Sequence, residues 1–337
     1  MRAYLLTRHG PPEVLRPTER PDPRPGGGEV RVRVEAIGVN YAEILSRKGL
    51  YGWAPKLPYV LGMEAAGTID EVGEGARRST GEAVVVGMQH GAYATAVVVR
   101  EAAALPAIEG FSPEENAAFP VNYVTAWAGL VESGRVRAGD RVLVSPAGGG
   151  VGTAAVQIAH RHGCTVVAAA GSDAKLERVR ALGADAVVNY RAEGWERRLR
   201  DAAGPEGIDI ALEMVGGEVF RAATAALAPF GRIVVAGYAS LDYRRWNPAS
   251  LWRAWRGLPR MGLREMLTRS VGMSSSHIGF LLPHAGLVGR MWDDVVAFVA
   301  EHGVRPQVGH VLPFEAAAEA HRLIESRESY GKVVLRV

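Results

Sequence analysis

The sequence predicts an α/β protein that combines a β-rich domain with a second domain built on a doubly wound parallel sheet. Two patterns support this fold class. The first third of the chain has short segments in which apolar and charged residues alternate, as in half-exposed strands. The middle of the chain has apolar strands that alternate with helical stretches, as in parallel sheets.

The β-rich domain is expected to run from Met1 to about Pro120. Residues 29–36 alternate strictly, and residues 67–73 and 83–87 add short strands between glycine turns, which indicates an antiparallel, barrel-like domain. A helix from about Leu287 to His302 and a closing strand over 332–337 are expected to return to this domain. The predicted domains are therefore 1–121 with 279–337, and 122–278 inserted between them. A ligand cleft is expected between the two.

A glycine-rich turn, Ala147-Gly148-Gly149-Gly150-Val151-Gly152, follows the apolar strand 142–144 and precedes a helix of small residues. A helix N-terminus offers free N–H groups and the positive end of the helix dipole, which suit a diphosphate. Gly149 would let the backbone approach phosphates, and Gly152 would allow a close helix contact. Ala147 replaces the first glycine of the usual fingerprint, and this turn alone is also compatible with an ordinary strand-to-helix connection.

The segments after this turn favour the nucleotide interpretation. Further apolar strands separated by helical stretches are predicted over residues 165–170, 186–190, 208–212 and 232–236. In a doubly wound sheet the glycine turn then lies at the carboxyl end of the first strand, where such sheets bind ligands.

The end of the second strand indicates which dinucleotide is preferred. Proteins that prefer NAD usually carry Asp or Glu there, but this chain has Gly171 and Ser172, which leaves room for a 2′-phosphate. Lys175 could supply a cation and Ser172 a hydroxyl, although Lys175 is equally explained as a solvated helix residue. Asp173 is expected to be the N-cap of a helix that begins at Ala174.

The composition is that of an ordinary globular protein, with 337 residues, 48% hydrophobic residues and a formal net charge of +3. Apart from the insertion described below, no block of basic residues interleaved with aromatics suggests nucleic-acid binding. The N-terminal apolar run is too short for a signal peptide, and no stretch is long enough to cross a bilayer. Cys164 is the only cysteine, so a disulfide within the chain is impossible and a cytoplasmic location is expected.

The order of motifs resembles that of the medium-chain dehydrogenase/reductase superfamily over essentially the whole chain. It is most similar to the zinc-free quinone oxidoreductases, particularly the branch that contains the vesicle amine transport protein. The motifs that carry the resemblance are Gly62-Met63-Glu64, residues 121–127, the glycine-rich turn and residues 326–335. The resemblance implies a GroES-like fold for the β-rich domain and a Rossmann fold for the other.

The resemblance also implies that the enzyme works without zinc. Zinc members of the superfamily bind the metal through an early Cys, the His of a Gly-His-Glu motif and a later Cys or acid. Here Asn40 stands in the first region, Met63 replaces the histidine, and no cysteine is available for the third position. Without a Lewis acid, substrates that accept hydride readily are expected, namely quinones and α,β-unsaturated ketones, with NADPH as the donor.

Site residues follow from the same resemblance. The candidate catalytic residues, which would stabilise a developing oxygen anion, are Asn40, Tyr51, Asn122 and Tyr123. Each of them can equally be a polar or aromatic core residue, and Tyr51 can donate a proton or only orient the substrate. Thr125 matches a position near the nicotinamide ribose. The positions expected around the adenosine 2′-phosphate are Gly171, Ser172, Lys175 and Tyr190. Those expected to line the cofactor groove are Val215, Gly216 and Gly237, together with Ala147, Gly149, Gly150, Val151 and Gly152 of the turn.

Residues 241–269 form an insertion rich in tryptophan and arginine. It is interpreted either as a cap or dimer contact, or as a surface that binds membranes. The second interpretation gives an alternative function, in which the protein binds NADPH but acts mainly as a membrane-associated or structural partner. A homodimer is expected because sheet edges of nucleotide-binding domains commonly pair.

Overall fold

The computed structural model describes residues 1–237, 252 and 258–337. Most of the tryptophan- and arginine-rich insertion, including residues 241–251, therefore lies outside the described residues. The chain divides into two compact units, Met1–Asn122 with Arg305–Val337, and Tyr123–Val304.

The first unit is β-rich, as predicted. Its strands before residue 123 are β1 (Arg2–Leu6), β2 (Pro17–Glu19), β3 (Glu29–Val39), β4 (Tyr59–Val60), β5 (Glu64–Val72), β6 (Ala83–Gly87), β7 (Ala96–Arg100) and β8 (Ala104–Pro106). The helices in the same stretch are α1 (Tyr41–Lys48) and α2 (Pro113–Ala118), and α3 (Pro120–Trp127) crosses the unit boundary.

The second unit alternates strands and helices. Its strands are β9 (Arg141–Ser145), β10 (Thr165–Ala170), β11 (Ala186–Asn189), β12 (Ile208–Glu213), β13 (Leu227–Val235) and β14 (Gly272–Ser275). Its helices after α3 are α4 (Gly150–Arg161), α5 (Asp173–Arg180), α6 (Trp195–Ala203), α7 (Gly217–Ala225), α8 (Leu263–Arg269), α9 (Ile278–Leu281) and α10 (Ala285–His302). The chain then returns to the first unit with β15 (Val308–Pro313), α11 (Ala317–Glu325) and β16 (Lys332–Arg336).

The main sheet of the first unit has the order β15-β16-β3-β5-β6-β8, with β7 also paired to β3. All of these pairs are antiparallel except β15 with β16. Alternation in the first half of β3 buries Val30, Val32 and Val34, whose side chains join one continuous apolar core. Strand pairing thus confirms the barrel-like domain that the alternating pattern predicts.

The sheet of the second unit is parallel throughout its described strands, in the order β11-β10-β9-β12-β13-β14. This is the strand order of a doubly wound nucleotide-binding fold. Residues 142–144 of β9 are almost completely buried because helices cover both faces of such a sheet. The predicted Rossmann fold is therefore confirmed.

The second unit ends at Val304, and the first resumes at Arg305, whereas the sequence analysis expected the second domain to end at residue 278. The sequence analysis expected helix α10 to return to the first unit, but it belongs to the second. Its Phe298 ring stacks on His162 at 4.7 Å between ring centroids and lies 5.4 Å from Trp127. These aromatic contacts, which join residues far apart in sequence, explain the difference. No helix of the described residues has the length and apolar character needed to span a membrane.

Candidate functional site

The glycine-rich turn connects β9 to α4 at the carboxyl end of the parallel sheet. Helix α4 begins at Gly150 after the N-cap residue Gly149, so the N–H groups of its first turn point out of the helix end. A Cβ atom at Gly152 would lie 2.1 Å from the carbonyl oxygen of Pro146, whereas one at Gly149 would meet no atom within 4 Å. Gly152 is therefore required by packing, and Gly149 leaves open space in front of the helix end.

The ends of β10 and β11 form the neighbouring part of this edge. The side chain of Lys175 lies along the glycine-rich turn, since a Cβ atom at Gly148 would approach its Cδ to 3.0 Å. At Gly171, a Cβ atom would lie 2.9 Å from Nε of Arg191 and 3.1 Å from Cε2 of Tyr190. The structure therefore brings the predicted Lys175, Gly171 and Tyr190 to one edge of the sheet.

Arg191 is a residue that the sequence analysis missed. It directly follows Tyr190, and its exposed side chain lies beside Gly171, where a second cation would face a phosphate. The signal was present, because the carboxyl ends of neighbouring parallel strands meet at one edge and Arg191 follows such an end.

The expected N-cap of α5 is wrong by one residue. The helix begins at Asp173, and Ser172 occupies the N-cap position with extended backbone and no side-chain cap hydrogen bond. The Asp173 carboxylate instead accepts a hydrogen bond of 2.9 Å from Nδ2 of Asn189. Asp173 is thus held by the end of β11.

Strands β12 and β13 carry the remaining predicted groove residues. The buried Glu213 carboxylate accepts hydrogen bonds from the N–H groups of Val215 and Gly216, and burial raises its pKa to about 7. A Cβ atom at Gly237 would lie 3.8 Å from Cβ of Met214, which places the ends of both strands side by side. Glu213 therefore shapes the turn that was expected to line the cofactor groove.

Helix α3 carries three of the predicted residues. Tyr123 is buried, and its phenol oxygen accepts a hydrogen bond of 3.1 Å from Nε2 of Gln157 on α4. Asn122 is also buried and donates through Nδ2 to the carbonyl oxygen of Ala118. Thr125 is half-buried. The other tyrosine among the candidate catalytic residues, Tyr51, is half-buried with its ring edge-on to Trp53.

Asn40 lies in a buried polar cluster of the first unit. Its Oδ1 accepts a hydrogen bond of 2.6 Å from Nζ of Lys332, and its Nδ2 donates to Glu64 at 2.9 Å and Glu43 at 3.3 Å. Lys332 also forms an ion pair with Glu64. The sequence analysis did not single out Lys332, although a lysine directly before the apolar residues 333–335 was a usable signal.

Within the described ranges, no group of three His, Cys, Asp or Glu side chains is arranged to hold a metal ion. Met63 is buried, and its backbone N–H donates to the Glu43 carboxylate at 2.9 Å. Cys164 is buried, and burial raises the pKa of its thiol to about 12, so the thiol stays protonated.

A doubly wound sheet with a glycine-rich turn at a helix N-terminus defines the class of dinucleotide-binding proteins. Comparison with known families and proteins shows which dinucleotide-binding proteins the chain is similar to. Residues 26–114 match the alcohol dehydrogenase GroES-like domain, and residues 150–254 match the family described as zinc-binding dehydrogenase.

Individual proteins agree with these matches. The rat synaptic vesicle membrane protein VAT-1 homolog is 32% identical over 99% of this chain and 84% of its own length. The crystal structure of the quinone oxidoreductase from Thermus thermophilus, also solved with NADPH, is 32% identical with a TM-score of 0.81 over the whole of both chains. The crystal structure of an NAD-dependent alcohol dehydrogenase is 37% identical with a TM-score of 0.84, again over both whole chains.

The chain belongs to the medium-chain dehydrogenase/reductase superfamily of oxidoreductases, in the group that contains the quinone oxidoreductases and the VAT-1 homologues.

Proposed function

We propose that the protein is an NADPH-dependent, zinc-independent oxidoreductase that transfers hydride to a quinone or an α,β-unsaturated carbonyl compound. The observation that carries the proposal is the group of side chains at the end of β10. Tyr190 and Arg191 lie beside Gly171, the position where an acid would select NAD, and Lys175 lies along the neighbouring glycine-rich turn. The comparison with a quinone oxidoreductase that was solved with NADPH supports the same cofactor.

The residues present fit this cofactor. The open N-terminus of α4 would bind the diphosphate, and Lys175 and Arg191 would bind the 2′-phosphate, with Ser172 as a hydroxyl donor. Bound NADPH supplies hydride from its nicotinamide ring. The turn held by Glu213 would present Val215 and Gly216 to the cofactor, and Gly237 and Thr125 complete the proposed groove.

The residues at the zinc-ligand positions of the first unit favour substrates that accept hydride without a metal ion. Asn40 and Met63 stand at the positions where zinc members carry ligands, and Asn40 is bonded to Lys332 and two carboxylates. Quinones and activated enones accept hydride without a Lewis acid, provided that hydrogen-bond donors stabilise the developing oxygen anion. Tyr51 is the proposed donor, because its side chain is only half-buried, whereas Tyr123 is buried and its phenol oxygen accepts a hydrogen bond from Gln157.

The homodimer and the cytoplasmic location expected from the sequence belong to this proposal. Strand β14 lies at one edge of the sheet formed by the described strands of the second unit. Nearby, Phe230, Leu263 and Leu267 expose large apolar side chains. Such an edge with an apolar rim suits a second copy of the chain, and sedimentation at the mass of a single chain would exclude it.

The test is NADPH oxidation, followed by absorbance, with a panel of quinones and enones. We expect turnover with at least one acceptor, and unchanged turnover after dialysis against a chelator. The control is the same panel with saturated ketones, which should remain unreduced. Tight NADPH binding without turnover of any acceptor, together with flotation on liposomes, would favour the alternative of a membrane-associated NADPH-binding partner.

A further inference from the structure

Lys332 is a buried cation at the start of β16. Its side chain is 3% exposed, and its ammonium group contacts Oδ1 of Asn40 at 2.6 Å and Oε1 of Glu64. The Glu64 side chain is completely buried, and its second oxygen accepts the N–H of Val121 at 2.7 Å. A buried charge is tolerated only when it is paired and hydrogen-bonded, so the ammonium and the Glu64 carboxylate each require the other.

These partners determine the orientation of the Asn40 carboxamide. A lysine ammonium can only donate, and an ionised carboxylate can only accept. The amide oxygen must therefore face Lys332, and the amide nitrogen must face Glu64 and Glu43. Both amide protons and the amide oxygen are used inside the cluster, so Asn40 is held in one orientation by charged groups.

Glu43 is the second carboxyl group of the cluster. Its carboxylate also accepts the N–H groups of Asn40 and Met63, and the phenol O–H of Tyr93 at 2.7 Å. The Lys332 ammonium contacts the Asn40 side chain directly. The buried Arg47 is linked to Glu43 through His321 and Tyr93.

We propose that Lys332 is a positioning residue, a built-in cation that orients the Asn40 carboxamide and pairs with the buried Glu64 carboxylate. It acts through its ion-pair partner Glu64, which accepts the N–H of Val121 in the first turn of the helix that carries Tyr123 and Thr125, and it does not itself touch the substrate. The consequence for activity rests on the proposed function, whereas the consequence for stability does not.

The decisive experiment removes the Lys332 side chain by mutation and supplies an alkyl ammonium ion in solution to replace it. Lys332→Ala should lower kcat about tenfold or more while the Kd for NADPH, which binds to the second unit, changes less than about twofold. Propylammonium should restore kcat and raise Tm saturably, because it replaces the missing alkyl ammonium group. Propanol has similar volume without charge and should restore neither.

Lys56→Ala serves as the matched control, because it deletes the same charge at an exposed position. Neither this variant nor the wild type should respond to propylammonium. A Lys332→Ala protein with wild-type activity and Tm would overturn the proposal, as would a loss that propylammonium leaves unchanged or that propanol restores equally well.

If Lys332→Ala does not fold, Lys332→Met and the double variant Lys332→Met/Glu64→Gln test the same point. The single variant leaves a buried carboxylate unpaired, so the double variant should have the higher Tm. An equal or lower Tm for the double variant would overturn the proposal. A wild type that oxidises no NADPH would refute the proposed function alone, because the propylammonium-dependent rise in Tm remains measurable.

Discussion

Gly149 and Gly152 lie three residues apart in the glycine-rich turn but have different roles. A Cβ atom at Gly152 would overlap the backbone of Pro146 and Ala147, and one at Gly149 would enter open space. The backbone of Gly149 is extended, at φ −88° and ψ 177°, which an alanine adopts without strain. One glycine therefore serves packing, and the other serves access to the helix end.

The pair gives a matched test. Gly152→Ala should lower the free energy of unfolding by about 1–3 kcal/mol, because the extra methyl group overpacks a closed contact. Gly149→Ala should leave stability within about 0.5 kcal/mol of wild type and weaken NADPH binding. Denaturant unfolding and NADPH titration of both variants measure these effects. Equal stability of the two variants would contradict the assignment of packing to Gly152 alone.

Helices α1 and α11 are joined by a directed chain of buried hydrogen bonds. Nε of Arg47 donates to Nδ1 of His321 at 3.2 Å, so the imidazole proton lies on Nε2, which faces the Tyr93 phenol at 3.1 Å. Tyr93 donates in turn to Glu43. Burial and the Arg47 charge lower the pKa of His321 to about 3, so the imidazole is neutral in the folded protein.

The neutral His321 in this series of hydrogen bonds predicts that the folded protein loses stability in acid. The pKa of His321 is lower in the folded state than its ordinary value of about 6.5, so the unfolded chain binds the extra proton. The contribution of His321 to stability is present above pH 6.5 and falls by about 1.4 kcal/mol per pH unit between 6.5 and 3. His321→Gln retains one acceptor and one donor but does not titrate.

The free energy of unfolding should therefore fall more steeply with acid for the wild type than for His321→Gln. Glu43 acts in the opposite direction, because burial raises its pKa to about 7 and its contribution is lost as the pH rises from about 4.5 through 7. Both proteins carry Glu43, so the comparison isolates the histidine. Parallel pH profiles for the two proteins would contradict a neutral, buried His321.

For the molecule as a whole, local patterns in the sequence predicted both folds. The alternating residues of β3 predict a strand with one buried face, and the continuous apolar run of β9 predicts a strand covered on both faces. Contacts between distant residues could not be predicted in the same way. Lys332 meets Asn40 across 292 positions of sequence, and Phe298 meets His162 across the second unit.

The candidate site shows the same division between local and distant signals. The glycine-rich turn, Gly171 and Lys175 were identified from their positions relative to strand ends. Arg191 also follows a strand end, but its place beside Gly171 on the neighbouring strand became visible only in the folded sheet. The roles of Asn40 and Tyr51 came from family resemblance, and the hydrogen bonds of Asn40 became visible only in the folded first unit.

The most direct test of the central claim is a calorimetric titration of the wild type, Lys175→Ala and Arg191→Ala with NADPH and with NADH. We expect the wild type to bind NADPH more tightly, and each substitution to weaken NADPH about tenfold or more while NADH changes less than about twofold. Arg180→Ala, which removes an exposed cation elsewhere on α5, is the control and should change neither affinity. Tighter binding of NADH by the wild type, or equal losses for both cofactors, would contradict the assignment of this edge to a 2′-phosphate.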